Sequence, residues 1–366
     1  MTKPFISSVW DFRQTSLSET NYLTHDYFRW FGKLIPQLVS RLIENYSDEG
    51  DTVLANFSGS GTVLVEANIM GRNSIGTDTS PIALLLSKVK TTLITLDIEN
   101  ILDRIEKFIQ ENMNRQFFMD ETDKKWFLPE NFYSLQLIKN FIDNNLDGNE
   151  KDFFLLALAS ITKKVSKVDA RCVNHIVVDN RKKLMNVYSE FSAKVREMEK
   201  SMYAFSKMHK NNFINIMEQD ARNLASLENE SIDLIISHPP YLGAINYSNI
   251  FKLENKLLGF EYTQTKKNDI STNSLDKYMS DMKKVFDEML RVLRQNSYAC
   301  VIIGDNRVNG EVIPTFSHFI DYASQIGFKL KDIFIWITSH KAGMNVARRG
   351  NFIDHNYILI FQKPIH

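Results

Sequence analysis

The stretch from Thr52 to Asp78, TVLANFSGSGTVLVEANIMGRNSIGTD, decides the fold. Thr52 to Phe57 is a short apolar run, stopped by Ser58-Gly59-Ser60-Gly61. Two glycines at that point permit a tight turn and a close approach of backbone to a ligand. Thr62 to Met70 reads as a helix, and Gly71 stands where its C-terminal cap belongs. Ser74 to Thr77 reads as a second strand that ends at Asp78. Strand, glycine turn, helix and strand with a terminal acid make a βαβ unit, which implies a parallel sheet. The helix N-terminus behind the glycines favours an anionic group. A carboxylate at the end of the second strand can accept hydrogen bonds from two ribose hydroxyls. A competing reading makes Asp78 or Thr79 the N-cap of a helix entered at Ser80-Pro81.

Outward from this unit, Tyr27 to Tyr46 carries apolar residues at helical spacing, among them Leu34, Leu38, Leu42 and Ile43. After Pro81 the β signal fades. Leu96–Phe118, Pro129–Asn145, Lys151–Val165 and Asn186–His209 all read as helices. Strand patterns resume at Phe213–Met217, Asp233–Ser237, Tyr298–Ile303, Lys331–Ile337 and Asn356–Phe361, with an amphipathic helix over Leu275–Arg294. The expectation is a seven-stranded α/β sheet whose last two strands form an antiparallel hairpin at one edge. Residues 1–92 and 211–366 would build this core, and 93–210 a mostly helical insertion. In such a sheet, ligands bind at the carboxyl ends of the strands.

Composition excludes other classes. The 366 residues are 43% hydrophobic and 24% charged, as in ordinary globular proteins and unlike disordered or collagen-like chains. Cys172 and Cys300 lie far apart without metal-ligand spacing, as expected of two reduced cytosolic thiols. The histidines likewise show no zinc spacing, so no metal is expected. No run of about 18 apolar residues is present, and the N-terminus lacks a signal-like apolar core. A cytoplasmic location and no membrane partner are expected. Net charge is zero, but Lys163 to Lys210 holds twelve Lys and Arg against five acids. That local excess suits either a solvated helical face or a footprint for nucleic acid.

The most informative motif is Asp233-Leu-Ile-Ile-Ser-His238-Pro239-Pro240-Tyr241. A buried strand runs into a polar residue, two prolines and an aromatic ring. The prolines fix φ and remove amide donors, leaving carbonyls on a rigid turn. Such a turn can accept hydrogen bonds from an exocyclic amine while Tyr241 stacks on the base that carries it. Asp220 closes another strand and could receive an adenine amino group. Together, the glycine turn, two strand-end acids and this turn point to a nucleoside-bearing cofactor and an amine substrate. Gly59-Ser60-Gly61-Thr62 lacks the lysine of a P-loop, which disfavours an ATPase.

With these residues in place the chain resembles the S-adenosylmethionine-dependent DNA amino-methyltransferases, which modify cytosine N4 or adenine N6. His238-Pro239-Pro240-Tyr241 is similar to their catalytic motif IV, and Phe57 to Gly61 to their Phe-x-Gly-x-Gly motif. The resemblance implies a Rossmann-like class I methyltransferase fold. It also implies cofactor contacts at Lys33, Pro36, Phe57, Gly59, Gly61, Thr62, Asp78 and Asp220, where Lys33-Leu-Ile-Pro36 corresponds to the segment before motif I. Two departures stand out. Ala55 replaces a carboxylate usual near the methionine end of the cofactor, and His238 stands where Ser, Asn or Asp is usual. A neutral imidazole can still accept an N–H. In the family Ser-Pro-Pro-Tyr goes with cytosine and Asp-Pro-Pro-Tyr with adenine, so a residue that is no carboxylate tips the expectation to cytosine N4. The implied function is site-specific DNA methylation, with a cognate restriction endonuclease as a possible partner. An RNA amino-methyltransferase and a non-catalytic nucleic-acid-binding relative remain the alternatives. Arg181, Lys182, Lys183, Lys341, Arg348 and Arg349 are the expected phosphate contacts.

Overall fold

The computed structural model describes residues 6–169, 176–183, 185–243, 247–260, 270, 272–308, 311–337 and 355–365. Its centre is an eight-stranded sheet in the order β1-β9-β10-β6-β5-β2-β3-β4. The strands are β1 (Ser8–Asp11), β2 (Thr52–Ala55), β3 (Asn73–Asp78), β4 (Ile214–Glu218), β5 (Ile232–Ser237), β6 (Leu293–Ile303), β9 (Lys329–Ile337) and β10 (His355–Gln362). A separate two-stranded ribbon pairs β7 (Asn306–Val308) with β8 (Glu311–Ile313). All neighbours in the large sheet run parallel except β10, which is antiparallel to both β6 and β9.

This is the expected Rossmann-like sheet with two differences. There are eight strands rather than seven, because Ser8–Asp11 adds to β9. For the same reason the β9–β10 hairpin is not the edge of the sheet. The four-residue β1 has one inward anchor, Trp10, which stacks on Phe334 at 4.7 Å and lies under Arg41. A single inward residue leaves no period to read in the sequence.

Alternation along the strands explains the layers. Val53 and Ala55 of β2 join Leu234, Ile236, Cys300 and Ile302 in a core under the Pro36–Tyr46 and Thr62–Ile69 helices. Leu54 faces the other way, with Ile235, Ala299, Val301 and Leu359, against the Leu275–Val292 and Thr315–Ile326 helices. Central strands with both faces covered must be apolar nearly throughout, and Val53, Leu54 and Ala55 are all fully buried.

The expected helix over Tyr27–Tyr46 is confined to Pro36–Tyr46, with Pro36 at its first turn, where the missing N–H costs nothing. Ahead of it the chain is irregular, and Tyr27, Phe28 and Phe31 turn into a third core. That core is built mainly from the helices Ile98–Glu111, Pro129–Asn145, Gly148–Ile161 and Val187–Ser206. It continues into Pro81–Thr91 and Lys252–Leu258, so these helices pack as an extension of the sheet unit. No helix among the described residues is long and apolar enough to cross a membrane.

Candidate active site

Four loops leave the carboxyl ends of β2, β3, β4 and β5 at the same edge of the sheet and enclose one cleft. Lys33, Phe57, Gly59, Thr62, Asp78, Asp220, His238 and Pro240 line it, as do Trp30, Asn56 and Tyr247. The other residues expected at the site lie behind this wall. Pro36 is buried at the helix start, Gly61 caps the Thr62–Ile69 helix with φ +69°, Pro239 is buried in the turn, and Tyr241 stands behind His238.

The glycine loop is tightly held. Asp78 accepts the Gly59 amide on Oδ2 at 2.8 Å and the Ser80 amide on Oδ1 at 2.9 Å. The Ser58 amide donates to the Thr77 carbonyl at 2.9 Å. Gly59 has φ +49°, and a Cβ there would meet Trp30 Nε1 at 3.3 Å, so the backbone lies directly under the indole. Asp78 is not a helix cap: Ser80 holds that position, without a side-chain bond.

Electrostatics around the loop come from buried groups. Lys90 is buried beneath it and donates to the Ser60 carbonyl at 2.7 Å; burial pushes its ammonium well below the ordinary lysine value. Lys33 lines the cleft, but its ammonium bonds to Asn21 Oδ1 at 2.7 Å and the His25 carbonyl at 3.2 Å, and burial lowers its pKa too. Asp220 is held by the Arg222 guanidinium, which also reaches Asp281 at 3.0 Å. The ion pair aims Asp220 and leaves its remaining lone pairs for a donor in the cleft.

His238 follows β5. Its Nε2 lies 3.1 Å from the Tyr241 hydroxyl, which donates to Asn356 Oδ1 at 2.9 Å. Burial pushes the His238 pKa down to about 4, so the ring is neutral at physiological pH. The Pro240 carbonyl is taken by the Tyr278 hydroxyl at 3.0 Å, which pins the turn.

A glycine loop, a braced strand-end acid and the His238 and Pro240 side of a di-proline turn thus share one cleft. The family model of the N6/N4 DNA methylases matches residues 2–88 and 232–365. The chain belongs to the DNA methylase family. It is similar to the type II methyltransferase M.MvaI of Kocuria varians, 24% identical over 372 residues, spanning 81% of this chain and 80% of that protein. It is also similar to M.MjaII of Methanocaldococcus jannaschii, 34% identical over 177 residues, which are 44% of this chain and 32% of that one. Among solved structures, a SAM-dependent methyltransferase from Methanosarcina mazei is 11% identical, with a TM-score of 0.38 and coverage of 88% of this chain and 97% of that one.

S-adenosylmethionine is the cofactor of this DNA methylase, and the cleft suits it. Asn56 is 1% exposed and lines the cleft, yet neither its Oδ1 nor its Nδ2 has a partner among the described residues. A buried amide with both ends unpaired costs about 1–3 kcal/mol unless a ligand satisfies it. The ammonium and carboxylate of a methionine moiety offer the donor and the acceptor it lacks, beside the position where Ala55 provides no carboxylate.

Several site residues were not visible in the sequence pattern. Trp30 and Tyr247 stack with centroids 5.6 Å apart, although 217 positions separate them. Lys90 reads as one more basic residue at the end of a helix, and Asn356 as the first residue of a strand.

Of the expected phosphate contacts, Arg181 and Lys183 are exposed. Lys182 is spent on structure: its ammonium donates to the Lys163 and Val168 carbonyls. Much of the surrounding basic excess is engaged in the same way, Lys163 with Glu254, Lys164 with Glu190 and Arg196 with Glu99. Lys341, Arg348 and Arg349 lie outside the described residues.

Asp78→Ala removes the brace of the glycine loop together with the acceptor in the cleft. Calorimetric titration should show S-adenosylmethionine binding weakened by about 1–3 kcal/mol in a protein that remains folded. Unchanged affinity would take Asp78 out of the cofactor site.

Proposed function

We propose that this chain transfers a methyl group from S-adenosylmethionine to the exocyclic amine of a base within a defined DNA sequence, with cytosine N4 as the acceptor. The observation that carries the reading is the position of His238 and Pro240, from the His238-Pro239-Pro240-Tyr241 turn, on the same cleft as the glycine loop and Asp78. Bound S-adenosylmethionine supplies an electrophilic methyl group on a sulfonium. This chain's residues do the rest. Asp78 receives the ribose hydroxyls, Asp220 the adenine amine, and Asn56 the methionine end.

The target base leaves the duplex, at a cost of a few kcal/mol, and stacks on Tyr241. Its amine donates to His238 and to the Pro239 carbonyl. Both acceptors draw the nitrogen towards sp³ geometry and free its lone pair for in-line attack. The amine proton displaced by the incoming methyl group would pass to bulk water, and the cofactor would be left as its neutral thioether. His238 carries no charge that would favour adenine N6, which is why cytosine is preferred. The insertion 93–210 supports target recognition through Arg181 and Lys183, whose phosphate contacts position without specifying sequence. As in a type II system, such a protein would protect its own DNA beside a cognate endonuclease in the cytoplasm.

Mass spectrometry of nucleosides, after incubation of DNA with protein and labelled cofactor, tests the chemistry directly. N4-methyl-2′-deoxycytidine is the expected product. N6-methyl-2′-deoxyadenosine would reassign the base, label in RNA alone would reassign the polymer, and no transfer by cofactor-bound protein would remove the activity.

The pH dependence follows from His238. Only the neutral ring can accept the amine, so protonation switches transfer off. An unperturbed imidazole would impose a loss near pH ~6.5. With the pKa at about 4, single-turnover transfer should hold through pH 5 and fall only as pH drops through about 4. His25, also pushed down to about 4 mainly by burial, adds a stability effect with the same sign. The unfolded chain takes up protons in this window before the folded one does, so acid weakens folding between about 6.5 and 4. Circular dichroism at each pH separates the two effects. His238→Asn, which keeps an acceptor, should retain some activity and lose the catalytic acid limb, whereas His238→Ala should lose more. Superimposable limbs for wild type and His238→Asn would assign the titration to another group.

Neutralising Arg181 and Lys183 together should flatten the salt dependence of DNA binding, by up to about 0.9 in the log–log slope per lost phosphate contact. An unchanged slope would return both residues to a solvated face.

A further inference from the structure

We propose that Asn356 is a positioning residue which, acting through the Tyr241 hydroxyl, fixes the tautomer of His238 so that Nδ1 presents a lone pair to the cleft and selects a substrate that donates an N–H. The inference deepens the reading of His238 as amine acceptor and rests on that reading for its consequence, though not for its geometry.

Two hydrogen bonds connect β10 to the His238 ring. Asn356 is 4% exposed and lies near the start of β10. Because β10 is antiparallel to β6 and β9, its first residues reach the edge where β5 and β6 end. There Asn356 Oδ1 meets the Tyr241 hydroxyl at 2.9 Å. An amide oxygen has no proton, so Tyr241 must commit its only proton to this bond. The Tyr241 oxygen can then only accept from His238, whose Nε2 lies 3.1 Å away. Nε2 therefore carries the ring proton, and in a neutral imidazole the other nitrogen is then a pure acceptor. His238 lines the cleft, and Nδ1 makes no hydrogen bond with the described residues. Burial of Tyr241 raises its pKa well above the ordinary value, so the relay keeps its proton.

The consequence is a choice of substrate. A base that offers an amine at this position completes the chain Asn356–Tyr241–His238–amine. A base that offers a carbonyl oxygen there sets lone pair against lone pair and leaves both unpaired. Sites built to hydrogen-bond a donor reject analogues lacking it far more strongly than apolar pockets reject shape. Cytosine would thus be separated from thymine at position 4, where one carries an amine and the other a carbonyl oxygen, by a residue outside the motif itself.

The ring nitrogens of His238 can be read directly by 15N NMR of histidine-labelled protein, with no substrate present. Wild type should show one tautomer, protonated at Nε2, with that proton protected from exchange. Tyr241→Phe deletes only the hydroxyl, and Asn356→Leu replaces the carboxamide that supplies the acceptor with an apolar side chain of similar size. Both should leave mixed tautomers and an unprotected ring proton. Both should also lower kcat roughly three- to tenfold, the scale of one lost hydrogen bond, without moving KM for S-adenosylmethionine. Asn356→Asp at mildly alkaline pH keeps an acceptor and should restore the single tautomer. A wild-type ring protonated at Nδ1 would overturn the relay, as would Tyr241→Phe with unchanged tautomer, exchange and kcat. A single Nε2–H tautomer in a protein that transfers no methyl group would leave the relay standing and refute the proposed reaction, so the two can fail separately.

Discussion

Parallel pairing of β2, β3 and β5 is the constraint on which the site depends. Leu54 of β2 is opposite Ile75 of β3 on one side and Ile235 of β5 on the other. Because the three strands run the same way, the segment after each emerges at one edge of the sheet, one strand spacing from the next. Asn56, Asp78 and His238 are brought together by that rule, though the first and last are 182 positions apart. β10 obeys the complementary rule. Running against its neighbours, it brings its beginning rather than its end to the same edge, and that is how Asn356 comes to stand behind Tyr241.

The glycine loop shows how little freedom the cleft has. A Cβ on Gly76 would lie 2.8 Å from Leu64 Cδ1 and 2.9 Å from Ser58 Oγ, so loop, helix and strand are in contact there. Ser58 in turn shares a hydrogen bond with Ser87 at 2.8 Å, and Lys90 holds the Ser60 carbonyl. Beneath them Glu66, 1% exposed, accepts from Tyr22 at 2.6 Å, from neutral His25 at 2.8 Å and from Ser40. Buried polar groups are tolerated when their hydrogen bonds are satisfied. Here they link the N-terminal segment to the helix that starts at the loop. Order established before binding is not charged to the ligand.

The legible parts of the sequence were those whose signal is local. The βαβ unit around Gly59, the strand before His238 and the Leu275–Val292 helix each carry their own periodicity and punctuation. Ser8–Asp11 carries none, since its stability comes from Trp10 packing on Phe334 in a strand more than 300 residues away. Tyr27–Phe31 has helical spacing, but its aromatic residues are claimed by the insertion core, and packing overrides propensity. The basic run after Lys163 was readable as charge. Whether each charge faced a phosphate or a neighbouring carbonyl was not, as Lys182 shows. Site residues supplied by distant chain, such as Trp30, Tyr247 and Asn356, have no local signature at all.

The hydroxyl of Tyr241 joins these levels. A tyrosine used only as a stacking surface would be served as well by phenylalanine, and its ring would have to be immobilised when a base arrives. Immobilising a rotamer-rich side chain costs about 0.5–1.5 kcal/mol in a typical interface. In this cleft the hydroxyl is held at both sides, by His238 and by Asn356, and the two rings stand at 88° with centroids 5.4 Å apart. The neighbouring Pro240 carbonyl is fixed by Tyr278. One group therefore fixes the plane of an aromatic ring and the proton on the adjacent imidazole before any substrate is present. The departure of His238 from the residue types usual in the motif becomes workable on this account. An imidazole is an acceptor at one nitrogen only if something else determines where its proton sits, and the short chain from β10 supplies that determination.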